Sequence, residues 1–373
     1  MRHHIVPARS SPVRRSAVAV AAALMLSAAV VVANAAAQQA VPDIPFDTKL
    51  DFLRLPPGLT LGEVSGIALN STRHVFLFVR AGVNTTVHGA AASQLLEFGP
   101  DGRFIREIGR GVYGFAFAHT VRIDASDNIW ATDEGSSMVI RFNPAGRVTL
   151  VLGRRAEAVE PEAPRAPDAP PPRANWGGFN RPTDVAWDLA GNTFIADGYT
   201  NSRVVKVDKN GRWTKTWGER GAQPGQFNTL HTIANDAKGN IYVGDRGNRR
   251  IQVFDPEGAL LRVMTIDVPF DRAPNVMFGG APLKAGDPIA ASGAPWAMCI
   301  TPGATQYLYV SDALPGRIYK LTLDGKVLGT IGEAGKEPKQ FGWIHQIACP
   351  SENELFVAEL LNWRVQKLTL RPR

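Results

Sequence analysis

The sequence predicts an all-β protein, a six-bladed β-propeller whose ring is closed by an N-terminal strand. Three observations carry this expectation. Apolar stretches are short, rich in Val, Ile, Phe, Tyr and Trp, and bounded by Gly and Pro, which is the pattern of many short strands. A ten-residue string recurs as Asp236-Ala-Lys-Gly-Asn-Ile-Tyr-Val-Gly-Asp245, Asp188-Leu-Ala-Gly-Asn-Thr-Phe-Ile-Ala-Asp197 and Asp124-Ala-Ser-Asp-Asn-Ile-Trp-Ala-Thr-Asp133, with shorter echoes ending at Asp312 and Glu359. After each acid comes a polar turn and a second alternating strand, as in Arg203-Val-Val-Lys-Val207 and Arg250-Ile-Gln-Val-Phe254. A unit of roughly 45–55 residues built from four short strands is a propeller blade.

In chain order, residues 1–37 read as an export signal rather than as part of the fold. Arg2, Arg9, Arg14 and Arg15 form a basic start, Ala17 to Ala33 is almost uninterruptedly apolar, and Ala35-Ala-Ala37 offers a cleavage site. A membrane anchor is the alternative, but the apolar run sits at the lower limit for a span and polar Gln38-Gln39 follows it directly. Arg14-Arg15 is only a weak twin-arginine signal. The expected location is therefore periplasmic or secreted.

The mature part, 38–373, is expected to be one domain. Residues 48–55 form a strand without a blade, and the blades run about 60–110, 114–153, 178–218, 226–267, 290–332 and 340–371. The last blade lacks an outer strand, which the N-terminal strand would supply, covering the open edges of the sheet. Three stretches break the period: 81–94 enlarges blade 1, 155–177 is a Pro- and Ala-rich connection, and 268–290 lengthens the link between blades 4 and 5. Cys299 and Cys349 each lie in a strand-like apolar run, so pairing and burial as free thiols both stay open.

Composition excludes two classes of partner. The formal charge falls from +7 to +3 without the first 37 residues, because four arginines leave and no acid does. No basic stripe of the kind that binds nucleic acid is left. No later segment is apolar and long enough to cross a bilayer as a helix. A monomer acting on a small molecule or short peptide is expected.

The strings Gly-Asn-Ile-Tyr-Val-Gly-Asp245, Arg249-Arg-Ile-Gln-Val-Phe-Asp255 and Gly225-Gln-Phe227 resemble NHL repeats, and that resemblance covers nearly all of the mature chain. It implies the fold, not the function. In a propeller the first strand of each blade lines the central channel. Aligning those strands gives one matching residue per blade: Ser65, His119, Thr183, His231, Trp296 and His345. Histidine takes every second blade, at intervals of 112 and 114 residues. Alternate blades of six stand a third of a turn apart, so three imidazoles should meet on the axis. Three neutral imidazoles with an open fourth position suit a catalytic zinc, or iron or another divalent metal. Three satisfied structural histidines are the bland alternative. His74 and His88 lie off this register and are expected at the surface.

The pattern further resembles peptidyl-α-hydroxyglycine α-amidating lyase, a propeller family whose zinc is held by three channel histidines. The resembling stretches are Pro182-Thr-Asp-Val-Ala186, Asp197-Gly-Tyr-Thr-Asn-Ser-Arg203, Pro224-Gly-Gln-Phe227 ahead of His231, Asp245-Arg246, and Val64-Ser-Gly-Ile-Ala68 leading to Arg80. The resemblance implies Tyr199 as the catalytic tyrosine and Arg80 and Arg246 as arginines of the site. It implies cleavage of R–CO–NH–CH(OH)–COO⁻ to an amide and glyoxylate, with Tyr199 as a base whose pKa a neighbouring cation lowers. It also implies a structural calcium, held through the carbonyls of Ile67 and Val121 and the residue after the third histidine. Here that residue is Gln346, which keeps an oxygen but loses the charge, and Trp343 departs from the family's methionine. The disulfide cysteines of the family are missing, with Thr200 in the place of one.

The repeated acids Asp133, Asp197, Asp245 and Asp312 are assigned to blade turns. Two other functions compete: a non-enzymatic exported NHL propeller that binds a protein or other ligand on one face, and a propeller enzyme of another substrate class, such as a lactonase or an antibiotic-ring lyase.

Overall fold

The computed structural model describes residues 41–80, 93–155, 178–270 and 292–371. The expected signal segment lies outside them, as do most of the three stretches that break the period. The described residues build six four-stranded antiparallel sheets and no α-helix, the arrangement of a six-bladed propeller. Blade 3 shows the plan: Asp184–Trp187, Thr193–Asp197, Arg203–Val207 and Trp213–Trp217 pair in chain order, innermost first. The two middle strands are buried on both faces, so they read Thr-Phe-Ile-Ala-Asp and Arg-Val-Val-Lys-Val, while the outer strand is largely polar.

The recurring string has two physical causes. Its first aspartate builds a turn. Asp188 accepts from the Ala190 and Asn192 amides at 3.0 and 2.9 Å, and Asp236 accepts from Lys238 and Asn240 at 2.9 Å each. The chain then passes through the left-handed region at Gly191 and Gly239, where a residue without Cβ is favoured. In blade 2 Asp127 takes that place at φ 59°, which a short polar side chain tolerates. The last acid ties down the segment entering its own inner strand. Asp133 accepts from the Ala116 and Phe117 amides, Asp197 from Asn180, Asp245 from Asn228, Asp312 from Gly293, and Glu359 from Gly342. These buried acids are architectural.

The ring closes by β-pairing. Phe46–Lys49 forms the outer strand of blade 6, in register from Phe46 opposite Leu370 to Lys49 opposite Lys367. This strand starts and stops earlier than the 48–55 expected from sequence. Buried Phe46 anchors it, stacked 6.4 Å from Phe341. Beyond Lys49 the chain turns away into the seam between blades 6 and 1, where Phe52 packs edge-on against Phe356 of blade 6 and the Arg54 amide bonds the Gly102 carbonyl of blade 1 at 2.7 Å. His74, off the channel as expected, pairs with Glu97 at 2.7 Å.

The cysteines, left open by the sequence, are paired. Cys299 and Cys349 join the inner strands of blades 5 and 6 across a separation of 50 residues. A loop of that size contributes up to about 4 kcal/mol through the unfolded chain. Reduction, or the double change Cys299→Ser with Cys349→Ser, should therefore lower the melting temperature by roughly 5 °C. Calorimetry with and without reductant checks this; an unchanged midpoint would mean that the bond contributes nothing.

Candidate metal and active centre

Each channel histidine sits near the start of an inner strand: His119 in Ala118–Ile123, His231 in Leu230–Asn235 and His345 in Ile344–Ser351. The strands bring them together as a triangle, with ring centroids 4.6–5.0 Å apart and ligand atoms within 4.8 Å of one another. All three are buried.

Their orientation is set by the other three positions of the same register. His119 Nδ1 bonds the Thr183 carbonyl at 2.6 Å, His231 Nδ1 the Trp296 carbonyl at 2.6 Å, and His345 Nδ1 the Ser65 carbonyl at 2.7 Å. A carbonyl only accepts, so each Nδ1 must carry the proton and each Nε2 a lone pair. Among the described residues His231 Nε2 is buried with no hydrogen-bond partner, and His119 Nε2 has only the Tyr199 hydroxyl, at 3.4 Å. Burial is the largest influence on all three pKa values. It drives His119 and His231 well below the ordinary value and His345 down to about 3. Neighbouring imidazoles add to the effect at His119 and His231, Arg80 at His119 and His345, and Arg246 at all three. Three neutral nitrogen donors, one of them orphaned in the interior, are what a divalent metal requires, and the residues fit one. The three histidines can form a metal site.

Tyr199 lies in the turn that follows Thr193–Asp197. Gly198 presses this turn onto blade 4, since a Cβ there would stand 1.8 Å from the Leu230 carbonyl oxygen. The close approach sets Tyr199 edge-on to His119 and His231, at 5.6 and 5.9 Å. Guanidinium groups cover the ring, Arg181 at 4.6 Å and Arg246 at 5.4 Å. Arg246 and Arg80 do pull the phenol pKa down, yet it ends above the ordinary value, because burial and the carboxylate of Glu134 outweigh them. The expectation that neighbouring cations alone lower it is thus corrected. Sequence reasoning missed Glu134, which directly follows a blade acid, and Arg181, which binds it at 2.8 Å through Nε.

The two arginines differ in kind. Arg80 faces Glu63 across the blade 1 pair, donates to its carboxylate at 2.9 Å and to the Ala118 carbonyl at 2.9 Å, and covers Phe117. Arg246 is buried over the Trp296 ring at 4.0 Å and hydrogen-bonds Tyr199, while its Nε and Nη1 lack any partner among the described residues. Of the two, Arg246 is the guanidinium with open donor positions.

The calcium implied by resemblance does not fit. Ile67, Val121 and Gln346 do meet, but Ile67 and Val121 turn their N–H groups to Gln346 Oε1, at 3.0 and 3.1 Å. Gln346 Nε2 donates to the Val121 carbonyl at 2.6 Å. The amide supplies both a donor and an acceptor where a carboxylate would supply only acceptors, so the backbone is satisfied without a cation.

No family model matches the chain. Over 329 residues it is 28% identical to peptidyl-glycine alpha-amidating monooxygenase B of Xenopus laevis, covering 81% of this chain and 34% of the relative. Over 215 residues it is 28% identical to a probable peptidyl-alpha-hydroxyglycine alpha-amidating lyase of Caenorhabditis elegans, covering 53% of this chain and 57% of the relative. The chain is thus similar in sequence to amidating enzymes. The match spans about a third of the first relative's length and little more than half of the second's. Among solved structures, virginiamycin B lyase of Staphylococcus aureus superposes with a TM-score of 0.53 over 88% of this chain and 100% of that one, at 13% identity. That likeness shows a shared fold alone.

His231→Ala should weaken binding of a divalent metal by more than the roughly 10–100-fold that loss of an outer partner brings. Full metal content of that variant by elemental analysis would refute the site. Because the imidazole pKa values are depressed, protons compete with metal only as pH falls towards those values. Affinity in a competition titration should stay flat from pH 7.5 to about 5. Histidines with ordinary values would lose about tenfold per ligand per pH unit below about 6.5.

Proposed function

We propose that the chain is a metal-dependent carbon–nitrogen lyase, which cleaves an α-hydroxyglycine-type carbinolamide to an amide and glyoxylate. The observation that carries this reading is the Arg246 guanidinium, with Nε and Nη1 unbonded, set against Tyr199 beside three converging imidazole lone pairs. An anion-binding fork, a proton-transfer group and a metal triangle within one buried cluster are the parts that R–CO–NH–CH(OH)–COO⁻ needs. Sequence similarity to amidating enzymes supports the same reaction class.

His119, His231 and His345 would hold the ion, zinc in the simplest case, through Nε2. Such an ion supplies a Lewis acid for the substrate's hydroxyl or carboxylate oxygen and a positive charge that favours the ionised phenol. Arg246 binds the carboxylate through Nε and Nη1. Arg80, neutralised by Glu63, contributes field and shape rather than an open fork. Tyr199 takes the hydroxyl proton as the C–N bond breaks and C=O forms. The bond pair passes to the amide nitrogen, which receives the proton, so no net acid or base is consumed. The substrate is a small molecule or short peptide, and the protein works as a monomer outside the cytoplasm. The leader-like start of the chain and the Cys299–Cys349 bond support export.

Metal-loaded protein should release glyoxylate from α-hydroxyhippurate, and a chelator should abolish the release. Tyr199→Phe should keep its metal and lose roughly 10²–10⁴-fold in turnover. Arg246→Ala should weaken kcat/KM by roughly 10–100-fold, the loss expected for a charged hydrogen bond. Glyoxylate assays joined to metal analysis check all three. Metal-replete protein that forms no glyoxylate would sink the lyase while leaving the metal site standing.

A further inference from the structure

One step deeper than the histidines, the channel axis carries an ion pair that the proposed chemistry does not use. Arg122 stands three residues after His119. It donates from Nε to Asp184 Oδ1 at 2.9 Å and from Nη2 to Asp184 Oδ2 at 2.6 Å. The same Nη2 reaches the carbonyls of Ile233 at 3.3 Å and Met298 at 3.2 Å. Asp184 is fully buried and accepts in turn from the Val185 amide at 2.9 Å, the Ile233 amide at 3.1 Å and the Thr232 hydroxyl at 3.0 Å.

These bonds join the inner strands of blades 2, 3, 4 and 5. Gln346 joins blades 6, 1 and 2 through Ile67 and Val121, so two side-chain knots together tie all six inner strands. Three carbonyl oxygens at this level that a hard dication could use are already engaged. Ile233 and Met298 turn theirs to a guanidinium, and Val121 turns its own to an amide N–H. Arg122 also balances the charge of Asp184, so an added dication would find no spare negative charge.

We infer that this second axial level is held by the chain's own cation, the Arg122 guanidinium, and takes no calcium. Its planar fork spans the Asp184 carboxylate and the carbonyls of two further blades, which a spherical ammonium cannot do. The inference is independent of the reaction at the histidines.

Equilibrium dialysis of the full chain against about 5 mM calcium, above the affinities of even weak calcium modules, should leave no protein-bound calcium by elemental analysis. The melting temperature should be the same in calcium and in EGTA. Arg122→Met should melt roughly 5–10 °C lower in both media, because it leaves the Asp184 charge buried and unpaired. Stoichiometric calcium, a calcium-dependent rise in melting temperature, or an Arg122→Met protein as stable as the parent would each overturn the inference. If Arg122→Met yields no soluble protein, Arg122→Lys keeps the charge without the fork and must also melt lower, while the dialysis of the parent chain stands by itself.

Discussion

The centre of this molecule depends on three short hydrogen bonds between neighbouring blades, from histidine Nδ1 to the carbonyls of Thr183, Trp296 and Ser65. Each bond fixes a tautomer, aims a lone pair at the axis and pins one inner strand to the next. Six equivalent positions thereby divide into three that offer nitrogen and three that hold it in place. A carbonyl needs no particular side chain, which is why Ser, Thr and Trp can alternate with the histidines at no cost to the geometry.

Around that triangle, identical charges do different work because of what they touch. Arg80 and Arg246 both depress the histidine pKa values. Glu63 neutralises the first at 2.9 Å, and the second lies on indole and phenol rings with two nitrogens unmet. A buried guanidinium left in that state costs stability and persists where something else compensates it. Its neighbour Tyr199 shows the same competition from the other side, since desolvation and Glu134 prevail over two cations.

The fold was legible in the sequence because its signals are local and repeated. The Asp-x-x-Gly-Asn turn and the closing acid make their bonds within a few residues or within one blade. The histidines were legible because one residue type recurred at one register. What stayed hidden depends on contacts between distant strands. Gln346 meets Ile67 across 279 residues, and Arg122 meets Met298 across 176. The spacing of the chain does not record whether an amide or a cation fills the space between them. The start of the closing strand was missed for a related reason: its anchor, Phe46, is recognisable only through Phe341.

The knots of Arg122, Asp184 and Gln346 have a consequence for traffic. On their far side the channel widens into a funnel of about 350 Å³, lined by Arg122, Trp187 and the Cys299–Cys349 bond among others. The knots lie between this funnel and the imidazoles, so packed side chains rather than open channel separate the two along the axis. A solute held in the funnel therefore meets Arg122 and not an imidazole.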